Sequence, residues 1–276
     1  MQNRIDACFE KIRGRGEQAF IAYIAAGDPS LARTVELVLA LEKCGTDIVE
    51  LGVPFSDPLA DGIVNQLAAQ RALEGGATVR GVLDCVRAVR QSSQVPIVLY
   101  TYLNPIFQFG FEKFHHAAAA AGVDGLLILD LPPEEERPNE MRSPNEIRHI
   151  RLVAPTTPPA RMAQLTAGAG GFIYYVSREG VTGEQTNVVA SLGERIALIR
   201  ARTDLPVAVG FGISSAEQVR EVARVADAVV VGSAIVRQIA EHGKSDDLLS
   251  VVSEFVRPLS AATKPRSPES TSAPPD

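Results

Sequence analysis

The chain has 276 residues, 46% of them apolar, which is ample for one large domain or two small ones. Its net charge is -6, with 27 basic and 33 acidic residues interspersed, so no basic face points to nucleic acid or an anionic membrane. No apolar run is long enough to span a bilayer, and the first residues carry no signal-peptide core, so a cytoplasmic protein is expected.

Taken in order, the chain opens with a helical segment over residues 1–11, expected to plug the bottom of a barrel. Short apolar runs then recur at residues 19–26, 47–55, 96–102, 125–131, 150–156, 172–177, 206–211 and 227–231, with β-branched residues concentrated in most of them. Between them lie helical patterns over residues 30–43, 79–90, 111–121, 192–202 and 216–225, with a short extra helix over 66–73. Asp28-Pro29 reads as an N-cap followed by a helix-opening proline, while Gly45 and Gly122 fall where helices should stop. Eight strand–helix beats are the signature of an α/β protein of the (β/α)8 TIM-barrel type. The competing open, doubly wound sheet lacks its Gly-x-Gly-x-x-Gly after the first strand. Residues 1–258 are expected to form a single domain and 259–276 a disordered tail, rich in Pro, Ser and Thr and poor in core formers.

The densest chemistry lies in Glu50-Leu-Gly-Val-Pro-Phe-Ser-Asp-Pro-Leu-Ala-Asp61, where the second strand ends. The period of two puts Glu50 on the same face as Ile48, inside the barrel, where an unpaired carboxylate is costly. Asp61 lies on the loop beyond. Two acids in different environments suit acid–base chemistry, because burial raises one carboxyl pKa while the other stays ionised. The alternative is a buried Glu paired to Lys or Arg, with an Asp capping a helix. Cys8, Cys44 and Cys85 lack metal or disulfide spacing and read as reduced thiols. His115, His116, His149 and His242 follow no expected strand, so neither histidine catalysis nor a metal site is expected.

Active sites of such barrels lie at the C-terminal strand ends. The last three ends carry Gly180-Val-Thr-Gly183, Gly210-Phe211-Gly212 and Gly232-Ser233. Glycines admit an anion close to backbone N–H groups, and a helix starting near Ser233 turns its positive end toward it. A phosphate is therefore expected there; ordinary tight βα turns are the alternative.

Ala25-Ala-Gly-Asp-Pro29, the acidic block through Gly62, Asn104-Pro, Asp130-Leu-Pro-Pro, Leu152-Val-Ala-Pro-Thr-Thr157, Ser177-Arg-Glu-Gly-Val-Thr-Gly183 and Gly210-Phe-Gly-Ile-Ser214 together resemble the α subunit of tryptophan synthase, in register from about residue 20 to 240. That family is a lyase of tryptophan biosynthesis, cleaving indole-3-glycerol phosphate to indole and glyceraldehyde 3-phosphate. The resemblance implies Glu50 as the acid–base group and Asp61 as the acceptor of the indole N–H. It implies Tyr23, Tyr102, Tyr174 and Phe211 around the indole, with Thr182 reaching Asp61. Gly183, Phe211, Gly212, Gly232 and Ser233 would hold the phosphate. No cofactor is implied in this chain; pyridoxal phosphate would belong to a β partner in an α2β2 heterotetramer, faced by Asp57, Asn104, Pro132 and the loop around Gly180.

Two features depart from the family pattern. Ile63 stands where Pro usually follows the second acid and its glycine, so a looser Asp61 loop is expected. Pro138 and Pro144 interrupt the segment after the fourth strand, so a short or broken helix is expected there. Two other functions stay open: a different phosphate-binding barrel such as an isomerase, and a non-catalytic subunit that activates a partner.

Overall fold

A computed structural model describes residues 2–136, 147–177, 185–210 and 212–264. In chain order it forms α1 (Arg4–Gly14), β1 (Ala19–Ala25), α2 (Leu31–Lys43), β2 (Ile48–Gly52), α3 (Ile63–Glu74), α4 (Val79–Arg90), β3 (Ile97–Thr101), α5 (Leu103–Phe109), α6 (Phe111–Ala121) and β4 (Gly125–Ile128). A single 3-10 turn, Pro133–Glu135, follows. The second half comprises β5 (Arg148–His149), β6 (Arg151–Val153), α7 (Pro159–Ala167), β7 (Ile173–Val176), α8 (Gln185–Arg200), β8 (Val207–Gly210), α9 (Ala216–Ala223), β9 (Ala228–Val231), α10 (Ser233–His242) and α11 (Leu248–Ala261).

All pairings are parallel, in the order β5-β4-β3-β2-β1-β9-β8-β7-β6. β5 and β6 are separated only by Ile150 and are halves of one barrel strand, so the ring closes with eight strands. The expected TIM barrel is what the chain forms.

Side-chain alternation divides the core in two. Ile21, Ile48, Val98, Leu127, Phe172, Ala208 and Val230 point inward, and α1 seals their lower end with Ile5, Phe9 and Ile12. α1 is amphipathic and capped by Asn3, whose side chain accepts the Ile5 N–H. The alternate strand residues, such as Ile24, Leu51, Leu99 and Val209, pack outward against the helices.

The expectations need adjustment in three places. The fifth strand begins at Arg148, so His149 is a strand residue after all; it stacks on His115 of α6 at 5.5 Å, and burial pushes its pKa down to about 4. Residues 259–264, expected in the tail, instead close the chain: Leu259, Ser260 and Thr263 are buried, and Lys264 pairs with Asp47 at 2.9 Å. The sequence also under-read the helices: α5 and α7 are short, and α11 carries Pro258 within it. Of the broken helix expected around Pro138 and Pro144, residues 137–146 lie outside the described residues, as do 265–276 of the expected tail.

Candidate active site

The barrel's C-terminal mouth is built from the inward residues at the strand tops. In register, Tyr23 of β1 stands beside Glu50 of β2, which stands beside Val98 of β3. Tyr23 meets Tyr100 edge-on at 5.1 Å, and Tyr174 enters from β7. These rings fit because glycines oppose them. A Cβ on Gly52 would lie 2.4 Å from the Tyr23 hydroxyl, and one on Gly210 would lie 2.3 Å from that of Tyr174. Gly232, expected at the phosphate, also lies against Tyr23, where a Cβ would meet the ring base at 3.3 Å.

Glu50 is 1% exposed, and its Oε1 has no hydrogen-bond partner among the described residues. Burial alone pushes its carboxyl up to about 8, with no cation offsetting it. The ion-paired structural Glu is therefore not what the chain forms. Asp61 is the opposite case. Its Oδ1 accepts from the Tyr100 hydroxyl at 3.2 Å and its Oδ2 from the Tyr102 hydroxyl at 2.8 Å. Burial raises this carboxyl, opposed by the two phenols and the nearby Asn65 side chain, which favour its ionised form. Nor does Asp61 cap α3, whose N-cap is Gly62 with no side-chain cap bond.

The Asp61 loop is pinned at several points. Tyr102 also accepts the Ala60 N–H at 3.0 Å, Asp61 N–H donates to Pro58 O, and Gln66 Nε2 donates to Asp61 O. The loop is thus well tied even though Ile63 replaces proline. Ile63 opens α3, a position where proline would be tolerated but is not needed to start the helix.

Together these residues line a narrow cleft walled by Tyr23, Phe55, Asp61, Asn65, Tyr100 and Tyr102. Glu50 lies one inward step below Gly52, which also lines it. Tyr100 and Asn65 were missed from sequence. Tyr100 shares inward parity with Val98, which was the available signal; Asn65 gave none. Gly212 lies in left-handed conformation with φ +68° after β8, and Gly232 and Ser233 open α10 after β9. Thr182, Gly183 and Phe211 lie outside the described residues.

Other expected groups serve structure. Asp28 is 2% exposed and gripped by Arg71 through two hydrogen bonds of 2.9 and 2.7 Å, which ties α3 to the end of β1. Asp130 accepts the Leu103 N–H at 2.6 Å and so caps α5. Among the described residues no group of three His, Cys, Asp or Glu could hold a metal, and no helix is long and apolar enough to cross a membrane.

A family model described as tryptophan synthase alpha chain matches residues 9–264. The tryptophan synthase alpha chain of Opitutus terrae is 50% identical over 264 residues, covering 95% of this chain and 99% of that one. Its counterpart from Desulfatibacillum aliphaticivorans is 47% identical over 257 residues, covering 93% and 97%. Among solved structures, tryptophan synthase subunit alpha from Legionella pneumophila superimposes with a TM-score of 0.87 at 36% identity, covering 95% and 99%. A chain of tryptophan synthase from M. tuberculosis in an aminoacrylate-bound form gives 0.83 at 32%, covering 95% and 100%. With a matching family model over most of its length and relatives at half identity, the chain belongs to the tryptophan synthase alpha chain family.

Proposed function

We propose that the cleft binds indole-3-glycerol phosphate and cleaves it by retro-aldol reaction to indole and glyceraldehyde 3-phosphate. Glu50, protonated in its dry position, gives its proton to C3 of the indole. The ring becomes an indolenine whose N–H bears positive charge, and Asp61 accepts that N–H. The Glu50 carboxylate then takes the proton of the side-chain hydroxyl as the carbon–carbon bond breaks, leaving an aldehyde and restoring the acid. The proton gained at C3 equals the one lost by the hydroxyl, so the step needs no redox partner.

The observation that carries this reading is the unpaired, cation-free Glu50 under a tyrosine-lined cleft that Asp61 faces. A carboxyl with a pKa raised to about 8 is largely protonated at neutral pH and can donate. An ionised Asp held by two phenols needs little reorganisation to meet a developing cation. Tyr23, Tyr102 and Tyr174 surround the ring. Gly212, Gly232 and Ser233, on the rims of adjacent strands, take the phosphate with Gly183 and Phe211. Support comes from the start of α10, where the first helical bonds run from the Ile235 and Val236 N–H groups to Gly232 O, leaving the N–H groups of Ser233 and Ala234 ahead of the ladder. Thr182 reaches Asp61 from the loop after β7. Family membership and the Glu50–Asp61 pair leave the isomerase and the inactive activator without an observation in their favour.

The proposed partner is a tryptophan synthase β subunit in an α2β2 assembly, with pyridoxal phosphate in the β chain and no cofactor here. Exposed apolar side chains support a docking face at the mouth: Leu59 is 91%, Ile63 65% and Phe107 64% exposed. Asp57 lies beside Leu59 on the same loop, Asn104 shares α5 with Phe107, and Pro132 precedes the 3-10 turn. A cytoplasmic location fits this assembly. Incubating the isolated chain with indole-3-glycerol phosphate should release indole and glyceraldehyde 3-phosphate in equal amounts. Absence of both, with and without a β subunit, would refute the reading.

A further inference from the structure

Tyr100 and Tyr102, two residues apart at the end of β3, both reach Asp61 but take different oxygens. Tyr100 donates to Oδ1 at 3.2 Å and Tyr102 to Oδ2 at 2.8 Å. A carboxylate held through one oxygen still turns about its own axis; held through both, its plane is fixed. The two phenols are anchored differently. Tyr102 also accepts the Ala60 N–H, so it is part of the fastening of the Asp61 loop itself. Tyr100 belongs to the barrel wall: its carbonyl accepts the Val53 N–H at 2.9 Å, it pairs with Gly52 in register, and its ring meets Tyr23 edge-on at 5.1 Å. Burial and the Asp61 charge hold the Tyr100 phenol well above its ordinary range, so the hydroxyl keeps its proton and remains a donor.

We propose that Tyr100 is a positioning residue for the reaction, its hydroxyl fastening Asp61 to the rigid barrel wall so that the carboxylate is already aimed into the cleft. The inference rests on Asp61 accepting the ring N–H, as read above. The other titratable groups around Asp61 are the phenols of Tyr23 on β1, Tyr174 on β7 and Tyr102, which burial keeps protonated, and Glu50 on β2, neutral below about 8. Among the described residues no cation acts on Asp61, so its ionised form depends on the donors it meets. Removing one of them raises its pKa.

The test is Tyr100→Phe, which keeps the ring against Tyr23 and removes only the hydroxyl. The Asp61 carboxyl carbon, assigned by its loss in Asp61→Asn, is followed by NMR through the acidic range. Beside it, kcat and KM for indole release from indole-3-glycerol phosphate are measured across pH. Loss of one hydrogen bond to the charged form predicts an Asp61 midpoint higher by about 0.5 to 1 pH unit. The acidic limb of kcat/KM moves with it, while the alkaline limb, set by Glu50, stays in place. At the optimum kcat falls about 3- to 10-fold and KM changes less. A tyrosine that served packing alone would leave both limbs where they are. An unchanged Asp61 midpoint overturns the assignment, and so does an unmoved acidic limb in a chain whose native form turns over. Because the midpoint is read without turnover, it stands apart from the retro-aldol reading, which fails if the native chain yields no indole.

Discussion

At the scale of single residues, Glu50 and Asp61 are two carboxyls that burial pushes upward, one unbraced and one opposed by hydrogen-bond donors. Glu50 is surrounded by tyrosine rings and aliphatic side chains, with nothing to stabilise its charge; Asp61 is braced by Tyr100 and Tyr102, with Asn65 nearby. The pH dependence follows. The Glu50 carboxyl titrates near 8 in the folded chain and near its ordinary 4.5 when unfolded, so the folded state holds an extra proton between those values. Stability is therefore highest at the acidic end of that window for this group, and falls as pH rises through it. Glu50→Gln cannot ionise, so its Tm should gain on that of the native chain between pH 4.5 and 8 and level off above, measured by calorimetry across that range. A gain independent of pH would place the titration elsewhere. The reaction first needs the protonated form, so kcat/KM of the native chain should fall on the alkaline side of about 8.

At the scale of elements, the mouth depends on which strand tops carry side chains and which do not. Gly52 and Gly210 are absent side chains whose space Tyr23 and Tyr174 occupy. Gly210→Ala should push Tyr174 into the cleft, costing about 1–3 kcal/mol in stability, as overpacking does. Its KM should rise more than its Tm loss alone would suggest; an unchanged KM would mean that Tyr174 does not border the substrate. This layer also explains what the sequence disclosed. Strand periodicity and the acidic block were enough to place Glu50 inside and Asp61 on the rim, because both are local properties of one segment. Tyr100 went unrecognised although its parity pointed inward, since its bond to Asp61 joins residues 39 apart. Gly232, read as a phosphate ligand, also packs against Tyr23, a contact between β1 and the turn after β9 that no single segment reveals. The start of the fifth strand at Arg148 was hidden because pairing with β4, and not local propensity, defines it.

At the scale of the whole molecule, α1 closes the barrel from below, so the open mouth is the face left for the substrate and partner proposed above. There, Leu59 and Ile63 flank Asp61 in the chain and, with Phe107 of α5, leave apolar surface in water. A β subunit seated there, as proposed, would bury that surface. The double variant Leu59→Asp, Phe107→Asp should weaken capture of a tryptophan synthase β subunit at least about tenfold in a titration, as loss of central apolar anchors does. Basal indole release should survive more fully than binding; intact affinity would move the docking face elsewhere. The central claim, that a buried neutral Glu50 hands its proton to the ring, is tested most directly by kcat/KM for indole release from indole-3-glycerol phosphate in Glu50→Gln. Loss of general acid–base catalysis predicts a fall of about 10²- to 10⁴-fold with the fold intact by circular dichroism. Indole release at the native rate would contradict the account.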